Sequence, residues 1–279
     1  MTAALAGCSS ALAGPPARGP HQVQPSGADP IEAPPKLIWS DDFNGPAGAP
    51  PDSAKWHAVS GAYGAGSHEL EYYTARPSNV ALDGAGHLVI TALRETYGAL
   101  GVTRQYTSAR IETGGLFQTM YGSLDASIKL PEGPGLWPAF WALGSDYARV
   151  GWPGSGEIDM MEALGDDPFA FYGSIHGPSS ASPDGWDMTV LKRSRASLAA
   201  GFHVYGVRWS PGKVVFTFDG VPYAARIRAA LRPSDRWTLD KPFYLLLDLA
   251  VGGDWPGSPN GSTRFPAHMV VDWVRVYSR

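Results

Sequence analysis

Cysteine is almost absent from this sequence of 279 residues, in which Cys8 is the only one. A single cysteine excludes an intrachain disulfide, so a packed core must stabilise the fold without covalent crosslinks. Basic runs are also missing, and the formal net charge is −4. This composition argues against nucleic acid as a partner. Helical periodicity is scarce as well; only residues 227–231 are expected to form one or two helical turns.

Turn-forming residues are abundant instead. The chain contains 34 Gly and 25 Pro, together about a fifth of its length, and 44% hydrophobic residues. Such a chain favours many turns over long helices and can still bury a sizeable core. We therefore expect one large β domain over residues 37–279, and we expect it to be a monomer.

Alternating apolar and polar residues mark several strands. Residues 36–39 predict the first strand, residues 123–130 a half-exposed one, and residues 269–277 the last. Between them, residues 214–218 and 221–224 flank Asp219-Gly220, a type I′ hairpin signal. Short strands at regular spacing with little helix indicate an all-β sandwich of two antiparallel sheets.

The N-terminal residues 1–36 differ in composition from the rest. Residues 9–35 are rich in Pro, Ala, Gly and Ser and predict a flexible tether. The preceding LAGCSS around Cys8 resembles the lipobox of bacterial lipoproteins, in which the cysteine is lipidated. Only seven residues precede Cys8, without the charged and apolar regions of a signal peptide, so lipidation requires a start upstream of Met1; otherwise the match is chance. We expect an extracellular or cell-surface protein, and no later segment approaches the ~20 apolar residues of a membrane span.

The hexapeptide 157–162 (EIDMME) places three carboxylates in an apolar run. Like charges this close raise one another's pKa and weaken a fold unless a task requires them. On a helix, Glu157 and Glu162 would lie roughly 140° apart and could not converge. In a strand, Glu157 and Asp159 share a face, and Glu162 joins them if one extra residue forms a β-bulge near Met160-Met161. Ile158 and one of these methionines would then face the core.

Acids arranged in this way suit glycoside hydrolysis. A retaining enzyme needs two carboxyl groups about 5–5.5 Å apart, one as nucleophile and one as acid. Asp159, between Glu157 and Glu162, could hydrogen-bond the nucleophile and separate their pKa values. A solvated acidic strand or a calcium site are the alternatives. The 10 Trp and 12 Tyr offer flat faces for sugar rings, although many must belong to the core.

Around these acids, the sequence resembles glycoside hydrolase family 16, in particular its bacterial laminarinase-like endo-1,3-β-glucanases. The bulged E-x-D-x-x-E spacing is typical of laminarinases. Further segments resemble the family in the same order along the chain: 69–74 (ELEYYT), 79–80 (NV), 106–111 (YTSARI), 135–144 (GLWPAFWALG), 176–178 (HGP), 249–257 (LAVGGDWPG) and 271–277 (VDWVRVY). The resemblance covers residues ~37–279 and implies a lectin-like β-jelly roll with a concave substrate cleft.

The resemblance also implies residue roles. Glu157 corresponds to the nucleophile, Glu162 to the general acid/base and Asp159 to the assisting carboxylate. Other positions match sugar-binding residues of the cleft: Trp137 and Trp141 as donor-side platforms, Asn79 and Arg110 as hydroxyl ligands, Trp255 on a wall loop, and His176 near the acid/base. Glu71 and Asp248 depart from the family, which often has Gln and Asn there.

The implied activity is endo-hydrolysis of β-1,3-glucan with retention, for which no metal or organic cofactor is needed. Asp42 and Asp272 resemble the family's structural calcium region on the convex face. A non-catalytic glucan-binding module is the alternative from another class, although the intact acids argue against it. A transglycosylase, or a hydrolase of mixed-linkage glucan or galactan, remains open from sequence.

Overall fold

The structure is a computed structural model that describes residues 35–62 and 67–278. The predicted N-terminal segment, apart from its last two residues, lies outside the described residues, and so does Cys8. The described part contains eighteen strands, one short helix, α1 (Tyr147–Val150), and a 3₁₀ turn at Arg228–Ala230. The strands are β1 (Leu37–Asp41), β2 (His57–Val59), β3 (Glu71–Tyr73), β4 (Val80–Leu82), β5 (Leu88–Ala99), β6 (Val102–Ser108), β7 (Arg110–Glu112), β8 (Gly122–Lys129), β9 (Leu136–Gly144), β10 (Glu157–Glu162), β11 (Ala170–Gly177), β12 (Trp186–Asp187), β13 (Val190–Arg193), β14 (His203–Ser210), β15 (Lys213–Phe218), β16 (Val221–Ile227), β17 (Phe243–Val251) and β18 (Ala267–Tyr277).

Two sheets pack face to face, which confirms the predicted β-jelly-roll sandwich. The ten-stranded sheet runs β16-β15-β14-β8-β18-β5-β6-β3, with β1 on β18 and β4 on β5. The eight-stranded sheet runs β12-β11-β10-β9-β17-β7-β2, with β13 on β11. The strand of the three acids, β10, thus lies between β11 and β9. The paired strands are antiparallel except β3 and β6, which pair in parallel.

Alternation along the strands separates core from surface. Leu124, Ile128 and Val207 of the ten-stranded sheet meet Phe140 and Leu245 of the eight-stranded sheet in one fully buried cluster. Burying apolar area of this kind is the main stabilising contribution to a sandwich. The opposite face of the eight-stranded sheet carries the polar and aromatic side chains. We call it the cleft face and define it by Trp137, Trp141, Glu157, Asp159, Glu162, His176 and Asp248.

The local predictions hold in several places. Asp219 and Gly220 have φ of 50° and 75°, as a type I′ turn requires, and they join β15 to β16. The helical pattern at 227–231 is a single 3₁₀ turn. Within β8, Leu124, Ala126 and Ile128 are fully buried as expected. Ser127, expected on the exposed face, is also buried, because its hydroxyl donates to Asp272 Oδ2 at 3.1 Å.

One half-buried acid in the ten-stranded sheet, Asp125, gives a stability prediction. Asp125 on β8 stands opposite Gly206 of β14, where any Cβ would come within 2.0 Å of its Oδ1. Burial raises the Asp125 pKa from 3.8 to about 6, and the charge of Arg208 opposes this rise. The folded state therefore holds the proton more tightly than the unfolded state. The stabilisation that this proton contributes is complete below about pH 4 and is lost as the pH rises through about 6.

We therefore expect Asp125→Asn to raise the melting temperature by a few degrees at pH 7.5 and to leave it almost unchanged at pH 3.5. Thermal unfolding of both proteins at the two pH values measures this. An equal shift at both values would mean that the charge of Asp125 is not responsible.

No helix within residues 35–62 and 67–278 has the length and apolar character needed to span a membrane.

Candidate active site

Directly before the acid strand lies Gly156, a glycine that no other residue could replace easily. Gly156 has φ of +69°, and a Cβ there would lie 2.7 Å from Thr238 Oγ1. The left-handed backbone and the close approach both favour glycine. The chain can therefore enter β10 directly beneath the segment 238–239, which fixes the position of Glu157.

The predicted bulge in β10 is confirmed. Against β9, Asp159 faces Trp141 but Met161 faces Phe140, so one residue of β10 is extra. The register against β11 shifts between Asp159 and Glu162 as well. Beyond the bulge, Glu162 again stands on the cleft face, opposite Ala139. Ile158 and both methionines are buried in the core, whereas one methionine was expected there.

The three acids gather around His176 of β11. His176 Nε2 lies 3.0 Å from Asp159 Oδ2 and 3.9 Å from Glu157 Oε1. Asp159 is 2% exposed, whereas Glu157 and Glu162 are half-buried and reach the cleft. His176 is expected near Glu162; the register places it opposite Glu157, and its charge acts on both glutamates. It therefore contacts the candidate nucleophile and the assisting carboxylate.

The acids of this cluster have strongly perturbed pKa values. Burial raises the pKa of Glu157 to about 8; the charge of Asp159 adds to the rise, and the charge of His176 opposes it. Burial and then the charge of Asp159 also raise the pKa of Glu162 well above its usual value. Burial raises the pKa of Asp159 itself in the same direction. The cluster therefore retains protons at neutral pH and titrates as a unit.

An aromatic wall stands at the Glu162 end of the cluster. The Trp137 indole N–H donates to Glu162 Oε1 at 3.1 Å. Trp255, 40% exposed, meets Trp137 edge-on at 5.4 Å between ring centroids and lies 4.8 Å from the Tyr172 ring. Two of the three predicted cleft tryptophans thus form this wall with Tyr172, a residue that the sequence does not mark.

Trp141 of β9 and Arg110 of β7 lie on the side of β10 away from β11 and His176. The Arg110 guanidinium carbon is 4.6 Å from the Trp141 ring centroid, a cation–π arrangement. The Trp141 indole N–H donates to Asp248 Oδ1 at 2.6 Å. From sequence, Asp248 is only a departure from the family; the structure brings it into contact with the predicted sugar platform.

A second carboxyl pair lies next to this platform. Burial raises the pKa of Glu71 well above its usual value, and the nearby charge of Glu69 contributes. Glu71 Oε2 accepts a hydrogen bond from the backbone N–H of Val251 at 2.7 Å. Tyr73 links the pair to the cleft, since its hydroxyl lies 3.5 Å from Glu69 Oε2 and 3.3 Å from Asp248 Oδ2.

Asn79 does not lie in the cleft, contrary to the prediction. Its side chain is fully buried, and its amide donates to Thr91 O and to Thr107 Oγ1, both at 3.0 Å. Its Oδ1 accepts a hydrogen bond from Thr74 Oγ1 at 2.6 Å. With its polar atoms engaged inside the protein, Asn79 tethers the turn 76–79 and is not available to a sugar hydroxyl.

Asp42 and Asp272 occupy ordinary side-chain contacts. Arg275 donates to Asp42 Oδ1 at 3.0 Å, and Ser127 donates to Asp272 Oδ2 at 3.1 Å. Calcium takes six to eight oxygen ligands. In the described part of the chain, neither aspartate belongs to a group of three or more carboxylate, histidine or cysteine side chains. These contacts gather no such set, and the calcium site stays a prediction.

One exposed aromatic was missed. Trp152, 45% exposed, precedes β10, and its ring centroid lies 6.2 Å from that of His176. It stands on the β11 side of the acids, opposite Trp141. A tryptophan in the Gly/Pro-rich loop directly before the acid strand was the available signal.

The arrangement combines two half-buried carboxyl groups, an assisting acid, and flat indole surfaces on both sides. Such a site can protonate a leaving oxygen, attack a carbon, and stack pyranose rings. One oxygen each of Glu157 and Asp159 and one nitrogen of His176 also lie within 4.8 Å of one another, a set that could hold a divalent cation.

Comparisons with known proteins agree with this geometry. Residues 72–275 match glycosyl hydrolases family 16. The chain is 36% identical over 249 residues to a beta-glucanase from Rhodothermus marinus, spanning 87% of this chain and 85% of that protein. It is also 36% identical over 271 residues to glucan endo-1,3-beta-glucosidase A1 of Niallia circulans, spanning 89% of this chain and 39% of that protein.

Among solved structures, endo-beta-1,3-glucanase from Pyrococcus furiosus superposes with a TM-score of 0.80 at 41% identity, covering 88% of this chain and 94% of that one.

Proposed function

Because the chain belongs to glycosyl hydrolase family 16, we propose that it hydrolyses internal β-1,3-glucosidic bonds of a glucan with retention at the anomeric carbon. The observation that carries this proposal is the bulge in β10, which places Glu157, Asp159 and Glu162 on one face beside His176. Relatives of similar length and sequence are beta-glucanases, which supports the choice of substrate.

In the first step, protonated Glu162 donates its proton to the glycosidic oxygen as the bond from the anomeric carbon to that oxygen breaks. The ionised Glu157 carboxylate attacks the anomeric carbon and forms a glycosyl-enzyme. The leaving chain departs with the proton as a free hydroxyl. Asp159 and His176 flank Glu157 and set how readily it ionises.

In the second step, Glu162 accepts a proton from water, whose oxygen attacks the anomeric carbon. The bond to Glu157 breaks, and the sugar leaves with its original configuration. Glu162 is protonated again and ready for another cycle. The Trp137 indole N–H, 3.1 Å from Glu162 Oε1, stabilises the ionised form that this step requires.

The acidic side of the pH profile should respond to the neighbours of Glu157. Glu157 attacks only when ionised, so kcat/KM should rise with pH as this carboxyl loses its proton. Asp159→Asn removes a negative charge, so the Glu157 pKa should fall and the acidic limb should move to lower pH. His176→Gln removes a positive charge that lowers the Glu157 pKa. The Glu157 pKa should therefore rise, and the acidic limb should move to higher pH.

Initial rates of both variants between pH 4 and 9 measure the two displacements. Movement of both limbs in the same direction would contradict this charge arrangement.

The test of the proposed function is a panel of purified glucans and galactans with product analysis. Laminarin should be cleaved internally, and proton NMR at early times should detect the β-anomer first. An initial α-anomer would exclude the two-step scheme. Absence of reducing-sugar release from every polymer, with binding retained, would favour the non-catalytic glucan-binding module.

Transglycosylation and other linkages are the second group of candidates. Trp152 on the β11 side of the acids could hold an acceptor sugar, which would compete with water for the glycosyl-enzyme. Products longer than the substrate would indicate transglycosylation, and cleavage of mixed-linkage glucan or galactan would broaden the substrate class.

The proposed chemistry uses carboxyl groups and water alone, without a cofactor. We expect laminarin hydrolysis to be unchanged by a chelator such as EDTA, because no step requires an ion between Glu157, Asp159 and His176. Loss of activity on chelation and its return with a divalent cation would contradict this. Any calcium at Asp42 or Asp272 should alter the melting temperature but not the chemistry.

We further propose that the protein acts outside the cell or at its surface, as a monomer, where polymeric glucan is accessible. The lipobox-like sequence around Cys8 supports a lipid anchor. Labelling of cells with a radioactive fatty acid, with Cys8→Ser as the control, tests the anchor.

A further inference from the structure

Asp248 is a buried acid that the proposed mechanism does not use. It lies on β17 and is 6% exposed. Its Oδ1 accepts the Trp141 indole N–H at 2.6 Å, and its Oδ2 accepts the Tyr73 hydroxyl at 3.3 Å. A buried carboxylate with defined donors on both oxygens holds those donors in fixed orientations.

The Trp141 indole is fixed from a second direction by a cation. Arg110 on β7 lies over the indole, with its guanidinium carbon 4.6 Å from the ring centroid. Within the described residues, Arg110 Nε has no hydrogen-bond partner. The guanidinium is therefore held at this end by electrostatic attraction to nearby charges and to the indole ring. Burial lowers the Arg110 pKa, and the charge of Asp248 makes the largest contribution that raises it.

The neighbouring carboxyl pair does not offer Arg110 an equivalent charge. Burial raises the pKa of both Glu69 and Glu71, which favours their uncharged forms, and Asp248 rather than either of them leads the charges that raise the Arg110 pKa. Burial raises the Asp248 pKa to about 6, and Arg110 opposes that rise. Asp248 is thus the acid whose negative charge acts most strongly on Arg110, ahead of Glu112.

We propose that Asp248 is a positioning residue for glucan binding, which holds Trp141 and Arg110 together as one rigid platform for a sugar ring. The proposal rests on the function proposed above. Without the carboxylate, the indole loses its only hydrogen-bond acceptor in the described chain, and Arg110 loses the strongest of its counter-charges. A mobile platform must be ordered when sugar binds, so affinity falls while the acids of β10 stay in place.

The proposal is tested by binding of laminarihexaose in a Glu157→Gln background, which separates affinity from turnover. Asp248→Leu should raise the dissociation constant at pH 7.5 by roughly tenfold, the size expected for loss of one charge-assisted contact. The dissociation constant of Asp248→Asn should lie between those of Asp248→Leu and the parent, because the amide oxygen still accepts the indole N–H but carries no charge. Asp125→Asn, an acid-to-amide change in the other sheet, is the matched control and should bind as the parent does.

Three further readouts separate positioning from a general structural role. In the active enzyme, Asp248→Leu should raise KM about tenfold with kcat within about threefold. Trp141→Phe keeps a ring but removes the N–H. Its loss of binding free energy and that of Asp248→Leu should therefore be non-additive in the double variant. Parent affinity should weaken as the pH falls through about 6, where Asp248 protonates, and the Asp248→Asn affinity should not.

The pH comparison accounts for every charged group that faces Asp248. These groups are Glu69, Tyr73, Arg110 and Asp159, and all are retained in both proteins. Only the titration of position 248 therefore differs between them.

Equal affinity of parent and Asp248→Leu, or additive losses with Trp141→Phe, would overturn the proposal. If Asp248→Leu does not fold, the Asp248→Asn pH series and its cycle with Trp141→Phe decide in the same way. If the Glu157→Gln protein binds neither laminarihexaose nor any other β-glucan, the proposed function fails and this inference fails with it.

Discussion

Replacing Glu157 by Gln is expected to lower laminarin hydrolysis by roughly 10⁴-fold or more, with folding retained. An amide has no negative charge with which to attack the anomeric carbon, so no glycosyl-enzyme forms. The isosteric side chain still fits beside Asp159 and His176. Removing one of three crowded acids also relieves repulsion, so the melting temperature should stay the same or rise.

The role of Glu157 is distinguished from simple loss of contact by chemical rescue. In Glu157→Gly, azide should enter the vacated space and attack the anomeric carbon of an aryl β-laminaribioside. A single displacement gives the α-glycosyl azide, inverted relative to the substrate. Glu112→Gln, on the same face of the eight-stranded sheet, is the matched control and should keep its rate. Near-normal turnover by Glu157→Gln would refute the assignment.

Replacing Glu162 by Gln is expected to lower laminarin hydrolysis by about 10²–10⁴-fold, the usual contribution of a general acid. The loss should depend on the leaving group. A 2,4-dinitrophenyl glycoside needs no proton to depart, so its first step should remain fast. Since no base then activates water, the glycosyl-enzyme should accumulate.

Two measurements follow that intermediate. Stopped-flow absorbance should detect a burst of dinitrophenol, and mass spectrometry of the intact protein should find the added sugar on Glu157. Azide should restore turnover and give the β-glycosyl azide, because the nucleophile is still present. An equal loss on laminarin and on the activated glycoside would mean that Glu162 is not the acid.

The sequence predicts those parts of the site that depend on the alternation of side chains along a single strand. A strand fixes which face each side chain takes, so three acids among apolar residues required one extra residue, and the register shift in β10 supplies it. The Asp219-Gly220 turn was predictable for the same reason, because its backbone angles depend on two residues alone.

The parts that sequence does not predict depend on contacts between distant segments. Trp141 and Asp248 are 107 residues apart in the chain, and only the pairing of β9 with β17 brings them together. Asn79 could not be distinguished from a cleft residue, because its burial depends on Thr91 and Thr107 of two other strands.

The acids and the sugar-binding side chains differ in what holds them in place. Five consecutive peptide units of β10 separate Glu157 from Glu162, so covalent geometry keeps the reacting groups in register. The indoles come from β9 and from loops on either side of β10, and only non-covalent contacts such as the hydrogen bonds to Glu162 and Asp248 keep them aligned. Gentle warming below the unfolding transition should therefore loosen polymer capture while the chemical step persists, so that saturation fails before maximal velocity does.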